Sequence, residues 1–455
     1  MSKYSTSPLL FSPISHKKVE ADFDGGEITS NAGALLLRET EKQVGIISAI
    51  ASAVRDIRDL RYVDHSINDI ITQRVNQIAC GYEDANDSDA LRSDPALKIS
   101  ANRLPVSGLD LASQPTVSRL ENSVRRADLV RMGYTMADNF IAAYAAPPAL
   151  IILDFDDTED ETHGQQQLTL FNSYYDSHCY LPLHVYEGIS GKLITSVLRP
   201  GKRPTGKQVV AVLKRIVKRI RTAWPETIIL FRGDSHFCSP EALRYCDKHN
   251  LLYVIGLSGN AVLKPRIEPL LAEARAVFAQ AHLPVRLYES FTYKAESWDS
   301  LQRVVAKAEI NTKGDNPRFV VTNLTDPDDA TVYKYLYCGR GQMENYIKDH
   351  KIYLKSDRTS CHEFAANQFR LFLHSAAYVL LHSFRENTLK STQFAHAQFD
   401  IIRLNLLKIG ARVSELKTKI SLHLPSSFPH KPILSKITAL FQTLSATPSQ
   451  LRLRC

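Results

Sequence analysis

The chain has 455 residues, 44% of them hydrophobic, 23% charged and 9% aromatic; that is length for about three domains at ~150 residues each, and the composition excludes a disordered or fibrous chain. Apolar runs such as 145–153 are too short and too broken by proline to span a bilayer, and the segment MSKYSTSPLLFSPISHKK has no secretory core; with seven scattered cysteines and no CxxC pair, a soluble protein of a reducing cytoplasm is expected. Lys plus Arg at 56 against Asp plus Glu at 48 gives +8, which permits a polyanionic partner without requiring one.

Residues 1–30 are expected to be extended, with Asp24-Gly25-Gly26 as a turn. From Ser30, an N-cap type, the pattern becomes helical. Further helices are expected at about 66–80, 88–99, 114–125 and 127–145, so that 1–146 forms an all-helical N-terminal domain ended by Pro147-Pro148. Within it, Ser113-Gln-Pro-Thr-Val-Ser118-Arg119-Leu-Glu-Asn has the look of a helix-turn-helix recognition helix, with Ser118 and Arg119 in reach of base edges or phosphates. The same residues also fit a capped amphipathic helix with Val117 and Leu120 in the core.

At Ala149 the period changes. Ala149–Asp156 reads as a buried strand ending in carboxylates, followed by strands at 168–175, 180–186 and 192–199. Thr205–Ala223 is a long helix with Val209, Leu213, Ile216, Val217 and Ile220 on one face. Thr227–Phe231 is a second apolar strand, Pro240–Asn250 a helix and Leu251–Leu257 a strand. The alternation predicts an α/β domain with a central mixed sheet. Residues 260–335 lean to strand, at 285–293, 303–309 and 318–323, and helical periodicity returns at 335–352 and 363–385.

Two apolar strands each deliver carboxylates at the C-terminal end, as Asp154-Phe-Asp156-Asp157-Thr158 and as Gly233-Asp234-Ser235. Asp154 and Asp156 share one strand face and Asp157 takes the other. Acids at the end of a core strand are desolvated, and close like charges need a cation to be tolerated. Mg²⁺ takes carboxylate oxygens and keeps positions open for phosphate and water. A helix-capping carboxylate is the plainer reading of either site alone.

A second constellation is Tyr337-Cys-Gly-Arg340-Gly-Gln-Met-Glu344-Asn-Tyr-Ile-Lys348-Asp-His-Lys351. At ~100° per residue, Tyr337, Glu344 and Lys351 fall within ~20° of their neighbours, flanked at ~40° by Arg340 and Lys348. One face would then hold an aromatic hydroxyl, cations and a carboxylate. A solvated amphipathic face would look similar, but a phosphodiester site needs the same set, the acid for metal and the cations for phosphate.

With Asp on a first strand, Asp on a later one and Glu on a later helix, the chain resembles the DDE transposases of the ribonuclease H-like superfamily. Tyr, two residues, Arg, three residues, Glu, six residues, Lys resembles in full the pattern of a large branch of bacterial insertion-sequence transposases. Phe23–Gly33, Leu111–Asn122, Leu153–Thr158, His163-Gly-Gln-Gln, Tyr175–Pro182 and Tyr337–Lys351 resemble the insertion sequence family numbered 1380. Where that branch often shows Ala-Asp-Ser, this chain has Gly233-Asp234-Ser235.

The resemblance implies a ribonuclease H-like catalytic domain at 147–385, with a β-rich insertion at about 260–335, and a triad of Asp156, Asp234 and Glu344 holding two Mg²⁺ or Mn²⁺ ions. Asp154 is the alternative first member. Tyr337, Arg340, Lys348 and Lys351 are expected at the phosphates of the element's end. DNA is the implied partner, engaged by a homodimer in a cytoplasmic, nucleoid-associated setting.

Two rivals remain open. Asp154-Phe-Asp156-Asp157-Thr158 also fits the first motif of haloacid dehalogenase-like phosphatases, with Asp154 as nucleophile, although no second acid follows Asp234 within 235–240. A DNA-binding relative without catalysis is the other.

Residues 401–455 hold nine Lys or Arg (403, 408, 412, 417, 419, 431, 436, 452, 454) and one acid, Glu415, and so carry the whole charge excess. A basic helical C-terminal region is expected at 386–455. Arg199–Arg221 adds nine basic residues, Lys214 and Lys218 among them, and no acid. Either stretch could be a solvated face; beside a phosphodiester site both are expected to contact DNA.

Overall fold

A computed structural model of the chain describes residues 8–446. The strands β1 (Leu9–Ile14), β2 (Lys17–Ala21) and β3 (Ile28–Thr29) lie in the stretch expected to be extended, so the region before the helices is not part of an all-helical domain. Ser15 and His16, at φ 48° and 65°, make the two-residue turn that folds β2 back on β1. The helices α1 (Ala34–Val44), α2 (Ile46–Ala53), α3 (Ile67–Ala79), α4 (Asp87–Leu91), α5 (Pro95–Ser100), α6 (Gln114–Ser123) and α7 (Arg126–Ala142) follow. Ser66 and Asp69 close a reciprocal capping box on α3. The single helix expected at 88–99 is two, because Asp94 caps and Pro95 opens a new one.

The central layer is a mixed sheet built from β4 (Leu150–Asp157), β8 (Leu183–Glu187), β9 (Leu193–Val197), β10 (Ile228–Gly233) and β11 (Leu252–Leu257), with β5 (Asp160–Glu161), β6 (Leu170–Asn172) and β7 (Ser177–Tyr180) forming a small separate sheet. β4, β10 and β11 are parallel, whereas β8 is antiparallel to β4 and β9 to β8. Helices α8 (Gly206–Ala223) and α9 (Pro240–Lys248) make the crossovers. β4 is apolar on both faces because both are covered. Leu153 and Phe155 share a core with Val209, Leu213 and Ile220 of α8, while Ile152 joins Leu230 and Val254 on the other side.

Between β11 and the next strands lies α10 (Leu263–Ala281), a helix the sequence reading missed. Pro269 stands inside it, where proline is ordinarily disfavoured, and Asn260 starts it by accepting from the Val262 and Leu263 amides at 2.9 Å. β12 (Val285–Tyr293), β13 (Gln302–Asn311) and β15 (Arg318–Thr322) form where strands were expected, and the short β14 (Gly314–Asp315) is added between the last two. They extend the central sheet beyond β11, giving the order β12-β13-β15-β11-β10-β4-β8-β9.

The stretch from α11 (Asp329–Thr331) to Tyr353 is one helical run of changing pitch: a π-turn at Val332–Tyr337, a 3₁₀ turn at Cys338–Gly341, α12 (Gln342–Ile347) and a second π-turn at Lys348–Tyr353. α13 (Phe364–Ser383) follows, then α14 (Phe399–Ile402), β16 (Ala411–Glu415), β17 (Ile420–His423) and α15 (Lys431–Ala446). The C-terminal region is thus not purely helical. Ala411 and Val413 are buried and Arg412 is exposed, which is strand alternation, and β16 pairs with both β17 and β3.

The chain forms two compact units. One contains the described residues up to Ser48, then Asp56–Leu120 and Leu380 onward; the other contains Ala49–Arg55 and Glu121–Val379. Among the described residues no helix is long and apolar enough to cross a membrane, and the six described cysteines are unpaired. Arg452, Arg454 and Cys455 lie outside the described residues.

Candidate active site at the ends of β4 and β10

Parallel pairing brings two carboxylates together. β4 and β10 run in register from Leu150↔Ile228 to Phe155↔Gly233, so Asp156 and Asp234 come next at the same edge of the sheet. Burial pushes the Asp156 carboxyl up to about 7; Arg340 pulls it down, and the charges of Asp234 and Asp157 push it up. Arg340 donates to Asp156 Oδ2 at 2.8 Å. Asp234 accepts from the His236 amide at 2.8 Å. Two neighbouring acids whose charge is only partly offset fit a divalent cation.

Asp154 is different. It lies opposite Arg232 in the β4–β10 register, is fully buried, and takes a bidentate pair from the Arg232 guanidinium at 2.6 Å for both bonds. Arg232 also donates to the Leu336 carbonyl at 2.7 Å. The charge of Asp154 is thus matched inside the sheet, away from solvent, whereas that of Asp156 is only partly offset.

The changing pitch of 332–353 breaks the even stripe expected of an α-helix, since a π-turn closes on i+5 rather than i+4. Tyr337 still reaches Asp234: it lines a cavity of about 310 Å³ with Asp234, Ser235, Gly256 and Arg318. A Cβ on Gly256 would stand 2.6 Å from the Tyr337 hydroxyl, so the close approach depends on that glycine. Lys351 turns to the end of β4, donating to Thr158 Oγ1 at 3.4 Å and to the Glu159 carbonyl. Lys348 lies over the Tyr353 ring at 5.6 Å. Glu344 is exposed and in no ion pair among the described residues, where no three His, Cys, Asp or Glu side chains are grouped to hold a metal ion.

Several supports escaped the sequence reading. Asp157 holds His236 Nδ1 at 3.2 Å and lies 3.6 Å from Arg199. His184 is paired with Asp156 across β8 and β4. Its Nδ1 bonds Ser196 Oγ at 2.9 Å, and burial brings its pKa down to about 3, keeping it neutral. His350, buried in the second π-turn, meets the Tyr186 hydroxyl at 3.1 Å. These partners are set by strand register and helix pitch, and only the alternation of His184 and Tyr186 in 180–186 hinted at them.

The remaining candidates lie elsewhere. Lys214 and Lys218 are exposed on α8. Arg119 is exposed on α6 and donates to Thr116 Oγ1 at 3.0 Å, and Ser118 is half-buried beside it. Val117 and Leu120 are buried, as an amphipathic helix requires. The segment 101–113 between α5 and α6 is too long for the three- or four-residue turn of a helix-turn-helix.

Over residues 11–446 the sequence matches the family described as transposase DDE domain, group 1. The chain belongs to the DDE transposases. No curated protein matches it. Among solved structures it is similar to the piggyBac transposase synaptic complex with hairpin DNA, at 11% identity and a TM-score of 0.45, over 92% of this chain and 83% of that one. In this transposase Asp156 and Asp234 come to the same edge of the sheet, with Arg340 bonded to Asp156 and Tyr337 lining the cavity beside Asp234.

Proposed function

We propose that this DDE transposase is of the insertion sequence family numbered 1380, and that it cuts the ends of its element and joins the freed 3′-hydroxyls to target DNA. The observation that carries the reading is the pairing of Asp156 and Asp234 at the ends of adjacent parallel strands. A ribonuclease H-like core is supported by the order β11-β10-β4-β8-β9, three parallel strands followed by two antiparallel ones.

Asp156, Asp234 and Glu344 would hold two Mg²⁺ or Mn²⁺ ions, which when bound supply Lewis-acid activation of the attacking oxygen and stabilise the leaving one. Arg340 exchanges its bond to Asp156 for a phosphate oxygen, with Tyr337 beside it. Lys351 holds the end of β4, and with Lys348 adds positive charge for the flanking phosphates. Water attacks first and nicks the strand; the 3′-hydroxyl then attacks target DNA by the same in-line displacement. Glu344 is the third member of the set, carried on the helical run 332–353 between its two π-turns.

By domain, 147–385 is the catalytic part, with its insertion at about 260–335. Residues 1–146, through Ser118 and Arg119, and the basic region 386–455 contact DNA, as do Lys214 and Lys218. Two ends must be paired, so a homodimer acts on the DNA, in the cytoplasm and at the nucleoid.

Glu344→Gln tests the triad. With Mg²⁺ or Mn²⁺ and a duplex from the end of the element, the wild type is expected to cleave, and the variant to bind without cleaving, with a loss of at least ~100-fold. Normal cutting by the variant refutes the assignment.

A further inference from the structure

The nine basic residues of 199–221 have two separate uses. All five arginines are engaged within the protein. Arg199 donates to the Leu181 and Lys202 carbonyls, and Arg203 to the Ser235 carbonyl. Arg215 and Arg221 donate to carbonyls near α8. Arg219 pairs with Asp138 at 3.0 Å and lies over the Tyr134 ring. The four lysines, Lys202, Lys207, Lys214 and Lys218, are exposed, and none has an ion pair or side-chain hydrogen bond among the described residues.

Three of these lysines are aligned. At ~100° per residue, Lys207, Lys214 and Lys218 fall within ~40° of one another, on the side of α8 away from Val209, Leu213, Ile216 and Ile220, which pack in the core. They span ~16 Å of helix, the rise of about five base pairs. An ordinary solvated face mixes signs, but this stretch has no acid. The stripe also has a definite starting point. Through Arg203, the N-terminal end of α8 is tied to Ser235, the residue after Asp234.

We propose that Lys207, Lys214 and Lys218 form a track for one phosphate backbone of duplex DNA, engaging about five base pairs to one side of the phosphate placed at Asp156 and Asp234. Ammonium groups on flexible stems hold a backbone as point charges and read no sequence. The track rests on the transposase reading for its active-site end. A duplex backbone could come from the element's own end or from target DNA, and the test separates the two.

The full chain is titrated without divalent metal against two duplexes, one from the end of the element and one of unrelated sequence, over a range of salt. The triple variant Lys207→Gln, Lys214→Gln, Lys218→Gln is compared with wild type, with Arg219→Gln as control. The slope of log K against log salt is expected to fall by ~0.9 per lysine, ~2.7 for the three, at an unchanged melting temperature. Arg219→Gln is expected to leave the slope as it is. A loss confined to the element's duplex assigns the track to that DNA; a loss on both assigns it to any duplex, target included. An unchanged slope on both overturns the track. Failure of the transposase reading shows itself separately, as wild-type protein that does not cleave with metal.

Discussion

Asp154 and Asp156 stand two residues apart on one face of β4 and do different work. Asp154 is neutralised by Arg232 inside the sheet, whereas Asp156 shares its surroundings with Asp234 and Asp157. The raised pKa of Asp156 has a consequence for stability. Its folded value of about 7 lies above the ordinary aspartate value, so the folded chain binds a proton more tightly than the unfolded one. The stabilising effect is complete below pH ~4 and is lost as pH rises through about 7. Metal-free protein should therefore weaken between pH 5 and pH 8, and Asp156→Asn should flatten that dependence, gaining at most ~4 kcal/mol at pH 8. Urea unfolding at the two pH values measures it; a variant as pH-sensitive as the wild type refutes the cause. The carboxylates were legible in the sequence because each ends an apolar run. The Arg232 pairing was not, since it depends on which residue of β10 faces Asp154.

At the scale of elements, the run 329–353 was legible as helical and its pitch was not. Two π-turns and a 3₁₀ turn replace regular α-helix, so a fixed step of ~100° per residue does not describe how Tyr337, Arg340 and Glu344 are turned relative to one another. A π-turn arises from packing of the run against neighbouring strands, which a periodic pattern does not record. Gly256, at the end of β11, shows the same dependence on neighbours. A Cβ there would meet the Tyr337 hydroxyl at 2.6 Å and the Ser235 amide nitrogen at 3.0 Å. Gly256→Ala is expected to cost ~1–3 kcal/mol and to slow end cleavage while DNA binding holds. Thermal unfolding beside a cleavage time course checks both; full activity at full stability would show that Tyr337 has room to spare.

At the scale of the whole molecule, segments near the two ends of the described residues meet within one unit. β16 pairs with β3, and the Ala32 and Gly33 amides donate to the Ile409 and Leu407 carbonyls at 3.0 and 3.1 Å. A Cβ on Gly33 would lie 1.9 Å from the Leu406 carbonyl oxygen. That contact gives a physical reason for the glycine at the end of Phe23–Gly33. Gly33→Ala should lower the unfolding midpoint sharply, by ~3 kcal/mol or more, because the clash is with backbone; an unmoved midpoint would mean the tail packs otherwise. The charge excess of 401–455 also changes meaning here. Arg403 donates to the Ala79 carbonyl, Lys408 to Asn31 and Lys436 to the Ser391 carbonyl, so part of it is structural, and Arg412, Lys417, Lys419 and Lys431 stay exposed.

The sequence by itself determined the strands that carry Asp156 and Asp234, the apolar face of α8, the three strands of 285–322 and the spacing of Tyr337, Arg340, Glu344 and Lys351. These follow from local periodicity and residue type, which chain neighbours fix. Only the tertiary structure decided that Asp154 is bound to Arg232, that the run 329–353 changes pitch, and that among the described residues the lysines of α8 have no ion pair or side-chain hydrogen bond while its arginines are engaged. Those outcomes depend on register, helix pitch and contacts between residues far apart in the chain.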